Sequence, residues 1–219
     1  MTLRYRALIF DLDGTLVDSY EALLHAVNSS LAAHDRAPLT VETLRKFVGE
    51  GVEPLLERCF EGSVPHGAHD HFVRVYDEVC CDQSRLLDEV EETLDRLDDL
   101  GIAMAVCTNK PTSFSKKILE ALDAAKYFSA IVGPDLAGAK KPDARHVLHA
   151  LDATGHPKEQ ALFIGDMPID VLAARSAGLE VAAIPTGSAD HAPLAASEPD
   201  YMLDRFSEVV ELVRSEGPR

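Results

Sequence analysis

Hydrophobic residues along this chain form short, nearly unbroken runs, and amphipathic segments separate the later ones. The four clearest runs span residues 7–10, 102–107, 161–165 and 181–184. Continuous rather than alternating hydrophobicity is expected of strands that are covered on both faces in a parallel sheet. Between the later runs, apolar stripes recur with helical spacing, as in residues 114–122. Strands that alternate with helices predict an α/β fold with a doubly wound parallel sheet.

The segment between the first two runs is different. It contains roughly ninety residues with helical spacing and no convincing strand, which is far too long for a simple connection from a strand to a helix. Candidate helices span residues 19–34, 40–47, 52–60 and 69–81, and glycines 49 and 51 separate the middle pair. We therefore predict a core domain of residues 1–15 and 86–219, with an inserted helical cap domain of residues 16–85.

Composition and charge exclude several classes of protein. The 219 residues are 46% hydrophobic and 26% charged, which suffices for a full core. With 21 Lys and Arg against 37 Asp and Glu, the net charge of −16 predicts no binding to nucleic acid or to an anionic membrane. The apolar run near the N-terminus stops at Asp11, too early for a signal sequence. The four cysteines show no C-x-x-C spacing and fit reduced thiols, so we expect a cytoplasmic protein. The expected oligomeric state is a monomer or a homodimer.

Polar side chains follow these runs at the points where the strands are expected to end. They are Asp11 and Asp13 after the first run, Thr108 and Asn109 after the second, Asp166 and Asp170 after the third, and Lys141 before the helix that precedes the third. Because ligands bind at the carboxyl ends of strands in an open parallel sheet, we expect these side chains to converge at one edge. A turn or a helix N-cap explains each motif alone but not their conjunction.

The acidic residues in this set predict a magnesium site. Asp11 and Asp13 are two residues apart on an extended chain, so both carboxylates point to the same side. With Asp166 they form a ligand set of oxygens only, which suits Mg²⁺ and disfavours zinc. Lys141 and Thr108 supply the cationic and hydroxyl contacts that a phosphoryl group needs. The expected ligand is a small phosphorylated metabolite.

The same residues suggest a two-step reaction. A carboxylate can attack phosphorus and form an aspartyl-phosphate, which divides one difficult substitution into two easier ones. In this hypothesis Asp11 attacks in line, while Asp13 protonates the departing alkoxide and later deprotonates the hydrolytic water. Lys141 shields the charge between Asp11 and the phosphate. Asp170, one helical turn after Asp166, orients Lys141 or a metal-bound water from outside the ligand set.

Four ordered motifs carry a resemblance to a known family. They are Asp11-Leu12-Asp13-Gly14-Thr15, Thr108-Asn109, Lys141-Pro142 and Gly165-Asp166-x-x-x-Asp170. Together they resemble the motifs of the haloacid dehalogenase-like (HAD) hydrolase superfamily, over nearly the whole chain. The resemblance implies a Rossmann-like core with a helical cap inserted after the first motif, dependence on Mg²⁺ and hydrolysis of a small phosphate monoester.

By position, the resemblance also implies residue roles. Asp11 is the nucleophile and Asp13 the acid and base. The metal ligands are the Asp11 side chain, the Asp13 main-chain carbonyl and Asp166. Thr108, Asn109 and Lys141 hold the phosphate. One departure is that Met167-Pro168 follow the last motif's first aspartate, where relatives have a small polar residue.

Other segments resemble bacterial phosphoglycolate phosphatases, so 2-phosphoglycolate is the expected substrate. These segments are residues 47–52, 55–58, 108–112, 119–122 and 126–128. Arg45 and Arg58 are candidates to bind its carboxylate, although either could be a solvated surface arginine. Glu50, in the same region, is acidic where an anionic substrate would prefer a neutral or basic contact.

Three alternatives stay open. A sugar-phosphate phosphatase or a phosphomutase would use the same core, and a mutase would return the phosphoryl group to a sugar hydroxyl. A non-enzymatic phospho-accepting signalling module also places acids, a hydroxyl and a lysine at a sheet edge, but without a long helical insertion. His66, His69 and His71 lie within six residues. Without a cysteine partner, they indicate a polar loop or helix start rather than a metal site.

Overall fold

A computed structural model describes residues 3–189 and 191–214, and it is built around a parallel β-sheet. The strands are β1 (Ala7–Phe10), β2 (Val17–Asp18), β3 (Arg85–Leu86), β4 (Ala103–Cys107), β5 (Ala130–Val132), β6 (Ala161–Gly165), β7 (Glu180–Ala183) and β8 (Tyr201–Met202). Six of them form one sheet in the order β5-β4-β1-β6-β7-β8. All neighbours in it are parallel, and β2 pairs with β3 in a separate antiparallel ribbon.

Helices occupy most of the remaining chain. They are α1 (Tyr20–Ala32), α2 (Val41–Arg45), α3 (Val52–Cys59), α4 (Ala68–Val79), α5 (Val90–Asp99), α6 (Thr112–Ala121), α7 (Pro134–Ala137), α8 (Ala144–Asp152), α9 (Pro168–Ala177), α10 (His191–Ala196) and α11 (Val209–Arg214). After β4, strands and helices alternate along the chain. The prediction of a doubly wound α/β fold is confirmed.

Both faces of the sheet are covered, which explains the unbroken apolar runs. In β1, Leu8 and Phe10 belong to one hydrophobic cluster, whereas Ala7 and Ile9 belong to the other. Successive side chains of a strand point to opposite faces, so each cluster fills one side of the sheet. Side chains of α5, α6 and α11 join the first cluster, and side chains of α8 and α9 join the second. Complete burial of each large apolar side chain stabilises the fold by about 1.5–3 kcal/mol.

The helices α1–α4 lie between β2 and β3, and we call this segment the helical insert. The four predicted helices in this segment are confirmed, each within a few residues of its expected bounds. Within the insert, α1 packs on α4, where the buried Ser30 hydroxyl donates to the Ala68 carbonyl at 2.8 Å. Leu12, which lies just after β1, and Phe72 of α4 belong to the same hydrophobic cluster. The domain boundaries at residues 15/16 and 85/86 stay a prediction.

Four strands escaped sequence reasoning because they are very short, including the paired β2 and β3 of two residues each, which lie in the segment expected to hold no strand. β5 has three residues and β8 has two, too few to show a periodic pattern. β4 begins one residue later than the apolar run, and β7 is shifted by one residue. All four cysteines are free thiols. In the described ranges, no helix combines the length and apolar character needed to cross a membrane.

Candidate active site

Three buried carboxylates meet at the carboxyl edge of the sheet. Asp11 directly follows β1, and Asp166 directly follows the neighbouring β6. Asp170 lies in the first turn of α9. One carboxylate oxygen from each of these residues lies within 4.8 Å of the other two. Asp166 and Asp170 are fully buried and Asp11 is 6% exposed, so the site concentrates negative charge away from water.

Lys141 supplies a positive charge inside this group. Its Nζ lies 2.7 Å from Asp11 Oδ1 and 2.7 Å from Asp170 Oδ1. Burial disfavours the ammonium, but the Asp11 and Asp170 carboxylates outweigh it and raise the pKa of Lys141. Asn109 fixes the main chain there: its Oδ1 accepts the Lys141 N–H at 2.8 Å, and its Nδ2 donates to the Lys141 carbonyl at 3.3 Å. Lys141 is therefore a positioned, permanently charged group.

One ammonium does not balance three carboxylates. Burial raises the pKa of Asp11 to about 6, although the neighbouring Lys141 ammonium acts in the opposite direction. Burial also raises the pKa of Asp166 well above its ordinary value, and the charges of Asp11 and Asp170 add to the effect. Both shifts report the cost of holding excess negative charge in a buried place. A cation at this point would remove that cost.

The Asp166 carboxylate is enclosed by two loops. Its Oδ1 accepts from the Thr15 hydroxyl at 3.0 Å, and its Oδ2 accepts from the Ser188 N–H at 2.9 Å. A Cβ at Gly187 would lie only 1.9 Å from Asp166 Oδ2, and a Cβ at Gly14 would lie 2.5 Å from the same atom. Gly14 also has a φ of +87°, which side chains rarely adopt. Glycine at both positions lets the main chain approach the carboxylate closely.

Asp13 connects the sheet edge to the helical insert. Its Oδ1 accepts from the Ser19 hydroxyl at 2.5 Å and from Lys110 Nζ at 2.5 Å. Lys110 Nζ also donates to the Tyr76 hydroxyl of α4 at 2.8 Å. Burial opposes the Lys110 ammonium, but Asp13 and Tyr76 raise its pKa above the ordinary value. Ser19 and Lys110 thus hold the Asp13 side chain, which does not belong to the group of three carboxylates. Its main-chain carbonyl accepts no hydrogen bond from the described residues.

A cavity of about 50 Å³ lies between the sheet edge and the insert, and we call it the central cavity. Its polar lining comprises Asp11, Asp13, Thr108, Asn109 and Lys110. Apolar and aromatic residues of the insert and of α6 form most of the remaining wall, namely Leu23, Val48, Val52, Leu55, Phe72, Tyr76 and Phe114. The predicted nucleophile, acid and base, and phosphate-binding hydroxyl therefore face one small cavity.

Comparison with known proteins agrees with this geometry. A family model described as haloacid dehalogenase-like hydrolase matches residues 8–184. The chain belongs to this hydrolase family. It is 36% identical over 206 residues to the phosphoglycolate phosphatase of Agrobacterium fabrum, covering 91% of this chain and 88% of that protein. It is 37% identical over 207 residues to that of Caulobacter vibrioides, covering 91% and 87%.

A solved structure supports the same relationship. The crystal structure of a predicted phosphoglycolate phosphatase from Haemophilus somnus 129PT has a TM-score of 0.88 to this chain, with 31% identity over 97% of this chain and 99% of that one. The resemblance stated from the sequence motifs and the expected Rossmann-like fold are confirmed. The prediction of a phosphatase-type enzyme is confirmed at the level of this HAD hydrolase family.

In this HAD hydrolase, the two candidate arginines contact protein groups outside the lining of the central cavity. Arg45 Nη1 donates to the Gly187 carbonyl at 2.9 Å. Arg58 Nη1 donates to the Phe47 carbonyl at 2.9 Å, and its other terminal nitrogen pairs with the Glu50 carboxylate. Their binding of a substrate carboxylate stays a prediction, and this arrangement gives it no support.

The three histidines do not form a metal group in the part of the chain that the structure describes. His66 precedes α4, and His69 and His71 lie in its first turns. The imidazole of His71 lies 2.9 Å from the Ser29 hydroxyl. These positions agree with a polar helix start.

Sequence reasoning named Asp13 but missed its partners. Lys110 directly follows Thr108 and Asn109, so its position after a strand was a usable signal. Tyr76 gave no such signal, because it lies on the buried face of α4, where an aromatic residue is ordinarily part of a core. Ser19, which precedes α1, gave no signal of a contact with Asp13 either, because serine is common before a helix.

Proposed function

We propose that this hydrolase is a Mg²⁺-dependent phosphatase that acts on 2-phosphoglycolate through an aspartyl-phosphate on Asp11. The observation that carries the proposal is the position of Asp11, which faces the central cavity, contacts Lys141 and lies beside Asp166. The names of the relatives support the substrate.

The donor set fits Mg²⁺. We infer that the Asp11 carboxylate, the Asp166 carboxylate and the Asp13 main-chain carbonyl would hold it, and all three provide the hard oxygen ligands that this ion prefers. We assign Asp170 a supporting role outside that set, because its Oδ1 accepts from Lys141 and its Oδ2 accepts from the Met167 N–H at 3.0 Å. When bound, the ion neutralises charge so that an anionic nucleophile can meet an anionic substrate.

In the first step, an Asp11 oxygen attacks phosphorus and the bond from phosphorus to the alkoxide oxygen breaks. Asp13 gives that oxygen a proton, which releases the alcohol. Lys141, held by Asp170 and Asn109, stabilises negative charge on the phosphoryl oxygens together with Thr108. The apolar wall of the insert keeps bulk water away from the reacting atoms.

In the second step, a water molecule attacks the phosphorus of the aspartyl-phosphate. Asp13, left as a carboxylate by the first step, takes the proton from that water. The bond between Asp11 and phosphorus breaks, and inorganic phosphate leaves with the Asp11 carboxylate restored. Since the same side chain serves as acid and then as base, no further proton carrier is needed.

The test of this function is release of inorganic phosphate from 2-phosphoglycolate, measured with and without Mg²⁺ against a panel of sugar phosphates, nucleotides and pyrophosphate. We expect the highest kcat/KM for 2-phosphoglycolate and loss of activity with a chelator. A preference for another monoester would contradict the substrate but leave the chemistry intact. Transfer to a sugar hydroxyl would indicate a mutase, and a stable aspartyl-phosphate without turnover would indicate a signalling module.

Binding of Mg²⁺ is expected to raise the melting temperature, more at about pH 7.5 than at about pH 5.5. The pKa of Asp11 is raised to about 6 and that of Asp166 is raised well above its ordinary value, whereas unfolded aspartates titrate near about 3.9. The folded chain therefore holds more protons between about pH 4 and pH 6, and its stability falls as the pH rises through that window. The metal relieves this cost only where the carboxylates are ionised.

Differential scanning fluorimetry at both pH values measures the effect. Asp166→Asn is the matched variant, because it keeps the shape of the side chain and removes its charge. We expect the variant to lose most of the Mg²⁺-dependent increase. An equal increase in the variant and the wild type would place the metal elsewhere.

Gly187→Ala is expected to weaken Mg²⁺ binding about 10- to 100-fold. The added Cβ would meet Asp166 Oδ2 at 1.9 Å, so the carboxylate must move. The measurement is the Mg²⁺ concentration that gives half-maximal activity. Gly155→Ala is the control, since Gly155 has a φ of +71° but open space around it. That control should lower stability without changing the Mg²⁺ requirement, and the proposal for Asp166 fails if Gly187→Ala behaves the same way.

A further inference from the structure

Lys110 is the only cationic side chain among the described residues that line the central cavity. It is 7% exposed. Its Nζ has three protons to donate, and two of them go to Asp13 at 2.5 Å and to Tyr76 at 2.8 Å. The third points toward a weaker partner, the Ser19 hydroxyl at 3.4 Å. A ligand carboxylate could therefore displace that long contact without breaking either short one.

Tyr76 makes this ammonium rigid. The Tyr76 ring stacks on Phe72, with centroids 5.6 Å apart, and meets the edge of Phe114 at 5.1 Å. A side chain held by two aromatic neighbours has little freedom to turn. Its hydroxyl consequently fixes Lys110 Nζ at the wall of the central cavity. A preorganised cation of this kind binds an anion without a large ordering cost.

The rest of the cavity wall is unsuited to a polyhydroxylated group. Seven apolar or aromatic residues line it, and hydroxyls placed against them would lose hydrogen bonds to water. The volume of about 50 Å³ has room for roughly four groups the size of water. The apolar wall therefore favours a small carboxylate-bearing group over the hydroxyl-rich ring of a hexose.

The neighbouring surface directs an anionic group inward. A wider cleft of about 360 Å³ shares Val52, Asn109, Pro111 and Phe114 with the central cavity. The acidic residues Glu53 and Asp135 line that outer cleft. A negatively charged leaving group is repelled by these carboxylates and attracted by the Lys110 ammonium. Charge therefore favours an orientation in which the anionic end of the leaving group lies at Lys110.

We propose that Lys110, fixed by Tyr76, is the specificity-determining residue that binds the carboxylate of the leaving group. The site would thus select small phosphate monoesters with one negative charge on the leaving group. This inference rests on the proposed phosphatase function and assigns carboxylate recognition to Lys110 rather than to Arg45 or Arg58. It also places the recognised charge next to Asp13, the group that protonates the leaving oxygen.

The experiment compares 2-phosphoglycolate with 2-hydroxyethyl phosphate, a neutral analogue of nearly the same size. The wild type is expected to prefer the carboxylate. In Lys110→Met this preference, expressed as a ratio of kcat/KM values, should fall about 10- to 100-fold. Most of the loss should appear in KM for 2-phosphoglycolate. Comparing this preference between the wild type and the variant cancels the intrinsic difference in reactivity between the two esters.

Two further variants keep the test decisive. Lys117→Met is the matched control, because Lys117 is exposed and pairs with Asp77 at 2.7 Å outside the central cavity. It should leave the preference unchanged. Lys110→Gln removes the charge but keeps hydrogen-bond donors toward Asp13 and Tyr76, and it replaces Lys110→Met if circular dichroism shows that the latter is unfolded.

The outcomes separate this inference from the proposed function. If kcat/KM of Lys110→Met fell equally for both esters and the preference were unchanged, Lys110 would act only by positioning Asp13. That result would overturn the inference. If the wild type hydrolyses monoesters without preferring the one with a carboxylate, the inference about Lys110 is overturned as well. The proposed phosphatase function is then unaffected. A wild type that releases no phosphate from any monoester with Mg²⁺ would overturn both.

Discussion

Asp11→Asn is expected to lower kcat by about 10⁴- to 10⁶-fold, the range found when a covalent nucleophile is removed. The amide nitrogen and oxygen cannot form the aspartyl-phosphate, while the side chain keeps its shape. Asp11 directly follows β1. Because the substituted side chain keeps the shape of aspartate, the neighbouring strands should not move. Loss of activity without loss of structure is the expected combination.

The stability of this variant provides an independent check. Burial raises the pKa of Asp11 to about 6, so its ionised form is costly at neutral pH. Replacing it with a neutral amide removes that cost, and Lys141 retains its pair with Asp170 at 2.7 Å. We therefore expect the melting temperature without Mg²⁺ to stay constant or to rise.

Single-turnover phosphate release and thermal unfolding measure the two effects. Asp123→Asn is the control, because Asp123 is exposed and pairs with the exposed Lys126. It should retain wild-type activity. If Asp11→Asn kept a tenth or more of the wild-type kcat, Asp11 would not be the nucleophile.

The strands around this site were predictable because they lie at the centre of the sheet. β1 and β6 are buried on both faces, and their apolar runs match the observed bounds. β5 and β8 lie at the two edges of the sheet and are too short for such a run. Burial on two sides therefore made the longer central strands visible in the sequence, and the shortness of the outer strands hid them.

The convergence of Asp11, Asp166 and Lys141 was also predictable, because it follows from the parallel direction of neighbouring strands. The environment of Asp13 could not be predicted from the sequence, because it depends on how α4 packs against the sheet edge. Tyr76 reaches Lys110 across 34 residues of sequence, a contact fixed by tertiary packing alone. The same reason explains the arginines, whose partners Gly187 and Phe47 no local pattern indicates.

Lys141→Met is expected to damage both activity and stability. The methionine fills a similar space, but it leaves Asp11 and Asp170 without a positive partner. Removing one member of a buried ion pair costs about 3–5 kcal/mol. The variant should also lose about 10³-fold in kcat or more, because one charged contact to the transferring phosphoryl group disappears.

The pH dependence of this variant has a definite sign. Without the ammonium, nothing opposes the burial that raises the pKa of Asp11. A carboxyl whose pKa is higher in the folded state gains stability as the pH falls through that value. The free energy of unfolding of Lys141→Met should therefore recover, relative to wild type, as the pH is lowered from about 7 to about 5. Urea titrations at several pH values measure this recovery.

Matched substitutions separate the effect of charge from that of packing. Lys117→Met removes an exposed lysine with an equally short ion pair and should cost less than about 1 kcal/mol, since surface pairs contribute little. The double variant Lys141→Met with Asp170→Asn removes one unpaired carboxylate and should regain part of the lost stability. If the double variant were no more stable than Lys141→Met, the loss would come from packing around residue 141. Recovery of stability without recovery of kcat would show that Lys141 acts on the reaction as well as on the fold.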